Sequence, residues 1–369
     1  MKNINKNKSI KITIVTLNAI YLIFISFLKS NKKLKIGVIG VRHEVNIGNN
    51  LIKYAMFIKL SELGFIPYII GTHWNNFNIS FIRKTTNLII INNSFSEIKK
   101  DDYDILMVNS DQTWRNFDNF FYDYAFLKFA KNWNIPKFIY GASIGFDYWA
   151  LSSEDDKIAK NLLQNFTGIS VREKGSIELI KKHLGIEPDF VIDPTFLINK
   201  QYYLNIIKNY KSNINYNDSF IFSYKIAIEN NMENFIRNSS KKLNYKIFNF
   251  PLGNQSTIEE FLYQTFKSKA IVTNSYHGVI FSIIFNKPFV AFNFKDSAKE
   301  RLISLGNLLG FRNRVFEYNE NPDFRLLITP LNVNFTILNS LKDRSINYIK
   351  KNLGIYNNPK NRRNPNNNF

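Results

Sequence analysis

Apolar positions along this chain follow two rhythms. From Lys35 the run KIGVIG leads into a polar loop, VRHEVNIGNN, and then into LIKYAMFIKLSELG, whose apolar residues recur at helical spacing until Gly64. That pattern predicts a strand, a loop and a helix. Further short apolar runs follow at FIPYIIGT, NLIIINN, YDILMVNS, KFIYGAS, GISVRE and DFVIDP, and most are too continuous to alternate between a wet and a dry face. Such runs, separated by helical segments such as SSEDDKIAKNLLQNF and SIELIKKHLG, predict parallel strands buried on both faces. A first α/β domain is expected over residues 35–197.

After a polar, Asn- and Tyr-rich passage the alternation restarts. Strands are predicted at FIFSYKI, YKIFNFP, AIVTNS and FVAFNF, and helices near 229–242, 256–268, 277–286 and 297–309. A last helical segment, around 333–353, could pack on either half, and the second domain is drawn over residues 198–355. Two open α/β sheets facing each other place a ligand cleft at the carboxyl ends of their strands.

Composition narrows the chemistry. The absence of cysteine excludes disulfides, thiolate metal sites and a cysteine nucleophile. Four scattered histidines, in no metal-binding spacing, leave no metal site to expect. The net charge of +20 suits anionic partners, yet the lysines are spread along a chain rich in Lys, Asn, Ile and Phe, and no nucleic-acid signature accompanies them. Residues 13–28, TIVTLNAIYLIFISFL, form an apolar stretch flanked by lysines, shorter than the about 20 residues of a membrane span. Two readings stand for residues 1–34: a membrane anchor or interfacial helix, and a packed extension. Residues 356–369 are expected to be a disordered tail.

Polar groups cluster just after predicted strands. Asn46, Gly48 and Asn49 precede the first helix and suit either sugar hydroxyls or a helix cap. In NSDQTW, Asp111 and Gln112 could bind hydroxyls while Trp114 supplies a flat face, although a capped helix start accounts for the run better. Arg172, in SVRE, could grip a carboxylate or phosphate with paired hydrogen bonds, and Asp193, before a proline, reads as a turn residue. His277, in VTNSYHGVIFSIIFNKP, sits on a strand-to-helix turn where backbone N–H groups favour anions and a protonated imidazole.

In order, NIGNNL, YDILMVNSDQTW, GASIG, ISVREKGSIELIKKHLGIEPDFVIDPTFL and FKSKAIVTNSYHGVIFSIIFNKPFVAF resemble the polysaccharide pyruvyl transferase family, over about residues 35–316. The resemblance implies two Rossmann-like domains in a GT-B-like arrangement with an interdomain cleft. It also implies transfer of pyruvate from phosphoenolpyruvate, as co-substrate and with no further cofactor, to hydroxyls of a surface glycan or its lipid-linked precursor. By motif position His277 and Arg172 fall on the donor side with Gly278, His277 doubling as acid. Asn46, Gly48, Asn49, Asp111, Gln112 and Trp114 fall on the acceptor side, with Asp111 a candidate base. Some members carry arginine where this chain has Ser275, so Lys287, Lys295 or Arg301 would have to supply the charge there. Phosphoenolpyruvate is cytosolic, so a cytoplasmic location is implied, at the membrane's cytoplasmic face if residues 13–28 anchor the chain. A nucleotide-sugar glycosyltransferase and a non-catalytic glycan-binding protein are the alternatives.

Overall fold

A computed structural model describes residues 33–40, 46–72, 78–91, 94–115, 121–211, 218–251, 256–293 and 299–355. The apolar stretch 13–28, the tail 356–369 and Lys295 lie outside the described residues. Among the described residues no helix is long and apolar enough to cross a membrane.

The first half alternates β1 (Lys35–Ile39), α1 (Ile47–Glu62), β2 (Ile66–Thr72), α2 (Asn78–Thr85), β3 (Leu88–Ile91), β4 (Ile105–Val108), α3 (Phe121–Phe126), β5 (Lys137–Ala142), α4 (Ser153–Leu163), β6 (Gly168–Val171), α5 (Gly175–Leu184) and β7 (Asp189–Phe190). The second continues with α6 (Lys200–Ile207), β8 (Phe220–Tyr224), α7 (Asn230–Leu243), β9 (Lys246–Asn249), α8 (Ile258–Lys267), β10 (Ala270–Thr273), α9 (Tyr276–Ile284), β11 (Phe289–Asn293), α10 (Lys299–Leu309), β12 (Val315–Glu317) and α11 (Phe335–Asn352). The first sheet has the order β3-β2-β1-β4-β5-β6-β7 and the second β12-β11-β10-β8-β9, every pairing parallel.

Each order reverses direction once, between β1 and β4 in the first sheet and between β8 and β10 in the second. Crevices that take ligands open at such reversals, outside the carboxyl ends of the strands. Strands β4, β8, β10 and β11 are buried at every residue, which explains their continuous apolar sequences. Polar residues set the helix starts: the side chains of Asn46, Thr257 and Ser275 each accept from a backbone N–H in the first turn, and Ser152 forms a capping box with Asp155. Helix α9 stops before Asn286, whose φ of +52° is left-handed.

Two elements, α2 and α3, fall where the apolar pattern is too irregular to read, and the short strand β12 has no signal beyond Val315 and Phe316. One apolar layer runs through both halves, from Ile36 and Tyr54 by way of Tyr203 to Phe281. Tyr203 lies 6.3 Å from Tyr54 and 5.0 Å, edge-on, from Phe281. Burying each such side chain contributes about 1.5–3 kcal/mol, so the two sheets are joined by core packing as well as by chain.

The last helix returns to the first sheet. Tyr348 donates its hydroxyl to Ile139 O at 2.7 Å, the Ile192 N–H donates to Ser345 Oγ at 3.0 Å, and Thr167 Oγ1 lies 3.0 Å from Asn352 Oδ1. The last helix, which could pack on either half, thus lies against β5 and the chain before β6 and beyond β7, and it also contacts α10. Ser345→Ala leaves the buried Ile192 N–H without its acceptor. It is expected to lower the unfolding free energy by about 1–3 kcal/mol, read as a lower urea midpoint at unchanged slope.

Candidate active site

The residues after β1, β4, β6 and β7 meet those after β10. Asp111 follows β4 with φ +118°, a left-handed conformation that costs a non-glycine residue on the order of 1–3 kcal/mol. Its carbonyl accepts from Ser143 N at 2.9 Å and Thr113 N at 2.6 Å, which holds the strained turn beside β5. Arg172 follows β6, and its side chain has no exposure to solvent. The guanidinium Nη1 donates to Asp193 Oδ2 at 2.7 Å, Nε lies 3.3 Å from Glu173 Oε1, and Nη2 lies 3.5 Å from Asp111 Oδ1. Burial by itself would lower its pKa, but Glu173, Asp193, Tyr276 and Asp111 outweigh burial and hold it above the ordinary arginine value.

Asp193 joins the two halves. Its Oδ1 accepts from Thr195 N and Thr195 Oγ1, at 3.0 and 2.6 Å, and so caps the turn Pro194–Phe196. Its Oδ2, already bound by Arg172, also lies 3.6 Å from His277 Nε2. Burial pushes the carboxyl up, but His277, Arg172 and Thr195 together hold it well below the usual carboxylate range. His277 is positioned by the first turn of α9 and pressed from the other side by Gly48 at the start of α1. A Cβ on Gly48 would come within 2.0 Å of His277 Nδ1.

Tyr276 lies close to two cations. The Arg172 and Arg301 guanidinium carbons stand 4.8 and 4.7 Å from its ring centroid, and burial pushes its phenol well above the ordinary range. Arg301 Nε lies 3.4 Å from Glu173 Oε1. Arg301 is therefore the cation that reaches the neighbourhood of Ser275. Lys287 is not: it follows the far end of α9 and donates to Ser268 O at 2.9 Å.

Several expected roles change. Ser275 is the cap of α9, and the Gly278 N–H points back to Ser275 Oγ at 3.4 Å, so that amide is already engaged within the helix cap. Gly278 itself is required by packing, since a Cβ would meet Thr273 Oγ1 at 2.2 Å. Trp114 is 1% exposed and tilts against Phe126 in the core of the first sheet, which removes it as a sugar platform. Asn46 caps α1, Asn49 is buried, and Gln112 Oε1 accepts from Arg115 Nη1 at 3.2 Å. Asp193 and Glu173 are the functional side chains that pattern reading passed over. Their signal was their adjacency to Pro194 and Arg172, which a turn or a solvated pair explains as well. Among the described residues no group of three or more His, Cys, Asp or Glu side chains is arranged to hold a metal ion.

The low pKa of Asp193 has a sign. Against an unfolded value of about 3.9, its ionisation contributes stability that is complete above about pH 4 and is lost as pH falls. Unfolding free energy is expected to decline below about pH 4 in the native protein and to decline less steeply in Asp193→Asn. Equal acid slopes would remove Asp193 as the source.

Comparison with known proteins places this geometry. No curated protein matches the chain. Among solved structures it is similar to S. aureus MnaA with UDP, at 16% identity and a TM-score of 0.55 over 89% of this chain and 98% of that one. It is also similar to UDP-GlcNAc 2-epimerase from Neisseria meningitidis, at 11% identity and a TM-score of 0.51 over 87% and 96%. At those identities the likeness is one of fold, the GT-B type with two facing Rossmann-like sheets. The family model for polysaccharide pyruvyl transferase matches residues 46–296, a span that contains Gly48, Asp111, Arg172, Asp193 and His277. The chain belongs to the polysaccharide pyruvyl transferase family.

Proposed function

We propose that the protein transfers pyruvate from phosphoenolpyruvate to a pair of hydroxyls on a sugar of a surface glycan or its precursor. The products would be a ketal and inorganic phosphate. One observation carries this reading. Three buried nitrogens, Arg172 Nη2, Arg301 Nε and His277 Nε2, face carboxylate oxygens at 3.5, 3.4 and 3.6 Å without a well-formed hydrogen bond among the described residues. Buried donors left in that state have a strong preference for a compact anion that can accept from them.

The cations are not in surplus, because Asp111, Glu173 and Asp193 face them. A donor anion must therefore be recognised by directed N–H groups rather than by net charge. In the proposed reaction the methylene carbon of phosphoenolpyruvate takes a proton from His277, and positive charge develops on the adjacent carbon. A sugar hydroxyl attacks that carbon and gives its proton to a base, phosphate leaves with its bonding electrons and that proton, and the second hydroxyl closes the ring while its proton restores the imidazolium. Asp193 stabilises the imidazolium before transfer and keeps the ring oriented, while Arg172 and Arg301 hold the carboxylate and phosphate. Asp111, in its strained turn, is the candidate base for the attacking hydroxyl. No cofactor is required beyond the co-substrate, and its source places the reaction in the cytoplasm.

A second reading, a nucleotide-sugar glycosyltransferase, draws on the fold shared with UDP-binding proteins. Heat stabilisation by UDP-sugars but not by phosphoenolpyruvate would favour it. A non-catalytic glycan-binding role was suggested by Ser275, and Arg301 against Tyr276 weakens that motive.

Phosphate release from phosphoenolpyruvate in the presence of candidate glycans is the direct assay. His277→Ala is expected to lose on the order of 10²–10⁴ in rate with the fold retained. Unchanged turnover would end its assignment as the acid. Gly48→Ala is expected to abolish release through the displaced imidazole while circular dichroism keeps its native helical signal. Full activity in that variant would show that the close approach of α1 to His277 is not used.

A further inference from the structure

The ion cluster has a second side. Next to it lies a cavity of about 180 Å³, lined by Gly145, Phe146, Asp147, Glu173, Glu178 and Arg301 among others. Glu173 belongs to both places. Its Oε1 faces Arg172 and Arg301, whereas Oε2 is buried without a hydrogen-bond partner, in a residue only 8% exposed. A buried carboxylate oxygen in that state calls for a hydroxyl or ammonium donor.

The loop beside the cavity carries an aromatic pair. Phe146 and Tyr148 stack with ring centroids 5.0 Å apart and 22° between their planes, and the Arg115 guanidinium lies 4.4 Å from the Phe146 centroid. Phe146 lines the cavity, and Tyr148, stacked on it, is 60% exposed. Gly145 makes the turn into this pair at φ +77°, where a Cβ would also press on Gln112 at 3.1 Å. An ordered, open ring beside a buried acceptor suits a pyranose, whose C–H face packs on the ring while its hydroxyls donate to carboxylates.

Size and charge restrict the ligand further. The volume is below the roughly 300–1,000 Å³ of sites for drug-sized molecules, which fits one sugar unit rather than an oligosaccharide. Three lining carboxylates, on Asp147, Glu173 and Glu178, stand against the single guanidinium of Arg301. That balance repels uronic acids and sugar phosphates and accepts neutral or amino hexoses.

We propose that this cavity is the acceptor subsite, holding one neutral or amino hexose with Glu173 shared between acceptor and donor cluster. The word acceptor rests on the pyruvyl transfer reading; the sugar binding does not. It replaces the expected acceptor face at Asn46, Asn49, Gln112 and Trp114.

The test separates the two. Binding of methyl glucoside, methyl galactoside, methyl glucosaminide and methyl glucuronide to the full chain is measured by calorimetry, without phosphoenolpyruvate. At least one neutral or amino glycoside is expected to bind and the glucuronide to bind more weakly. Tyr148→Ala should weaken binding about 3- to 10-fold, as loss of one ring contact does. Glu178→Gln should weaken the amino sugar more than the neutral ones. Gly175→Leu adds bulk at a lining position where a Cβ meets no atom within 4 Å, and it should weaken binding. No glycoside binding, tighter binding of the glucuronide, or binding indifferent to all three variants would overturn the subsite. Glycoside binding through Tyr148 in a protein that never releases phosphate from phosphoenolpyruvate would overturn the transferase reading and leave the sugar site standing.

Discussion

A guanidinium with no access to water must be surrounded by acceptors, and Arg172 draws on three carboxylates to meet that demand. They come from different strand ends: Asp111 after β4, Glu173 after β6 and Asp193 after β7. Asp193, the nearest at 2.7 Å and itself without exposure, makes the tightest of the three contacts, and breaking a buried pair of that kind costs about 3–5 kcal/mol. The arrangement holds its members in register for the same reason. Asp193 then carries the constraint across the molecule, because the oxygen that binds Arg172 also faces His277 from the second sheet.

That contact depends on packing well away from it. The apolar layer through Tyr54, Tyr203 and Phe281 positions α1 against α9, and only with that spacing does Gly48 lie flat against the imidazole. Tyr203 shows how core and site are tied together: its ring is in the shared layer while its hydroxyl donates to Thr195 O, on the turn that Asp193 caps. Helix α11 braces the same turn from behind through Ser345 and Ile192. Stability and site geometry thus share residues.

The GT-B fold by itself says little about chemistry, since it serves epimerases and transferases of several kinds. What distinguishes this chain is local. Arg301 and Arg172 both lie close to the Tyr276 ring and to Glu173 Oε1, where the strands of both sheets end. Glu173 and Arg301 both belong to this cluster and to the lining of the neighbouring cavity.

Much of the fold was legible in the chain because its causes are local. Continuous apolar runs mark doubly covered strands, and residues such as Ser152, Thr257 and Ser275 mark helix starts through one side-chain acceptor each. Arg172 and His277 could be picked out because their motifs stand at strand ends. Partnership was not legible. Asp193 looked like a turn residue and is one, but its second oxygen finds Arg172 and His277 only after β6, β7 and β10 are brought together. Trp114 looked like a platform and was buried by Phe126, twelve residues on. Among the candidate cations, Arg301 rather than Lys287 reached Tyr276 because α10 returns over the cleft, whereas Lys287 leaves α9 at its far end. Sequence by itself determined which strands are buried and where their polar ends fall, since hydrophobic period and capping act over a few residues. Only the tertiary structure decided which charges face one another, because that depends on distances between residues as far apart in the chain as Glu173 and Arg301, fixed by the sheet order and the shared core.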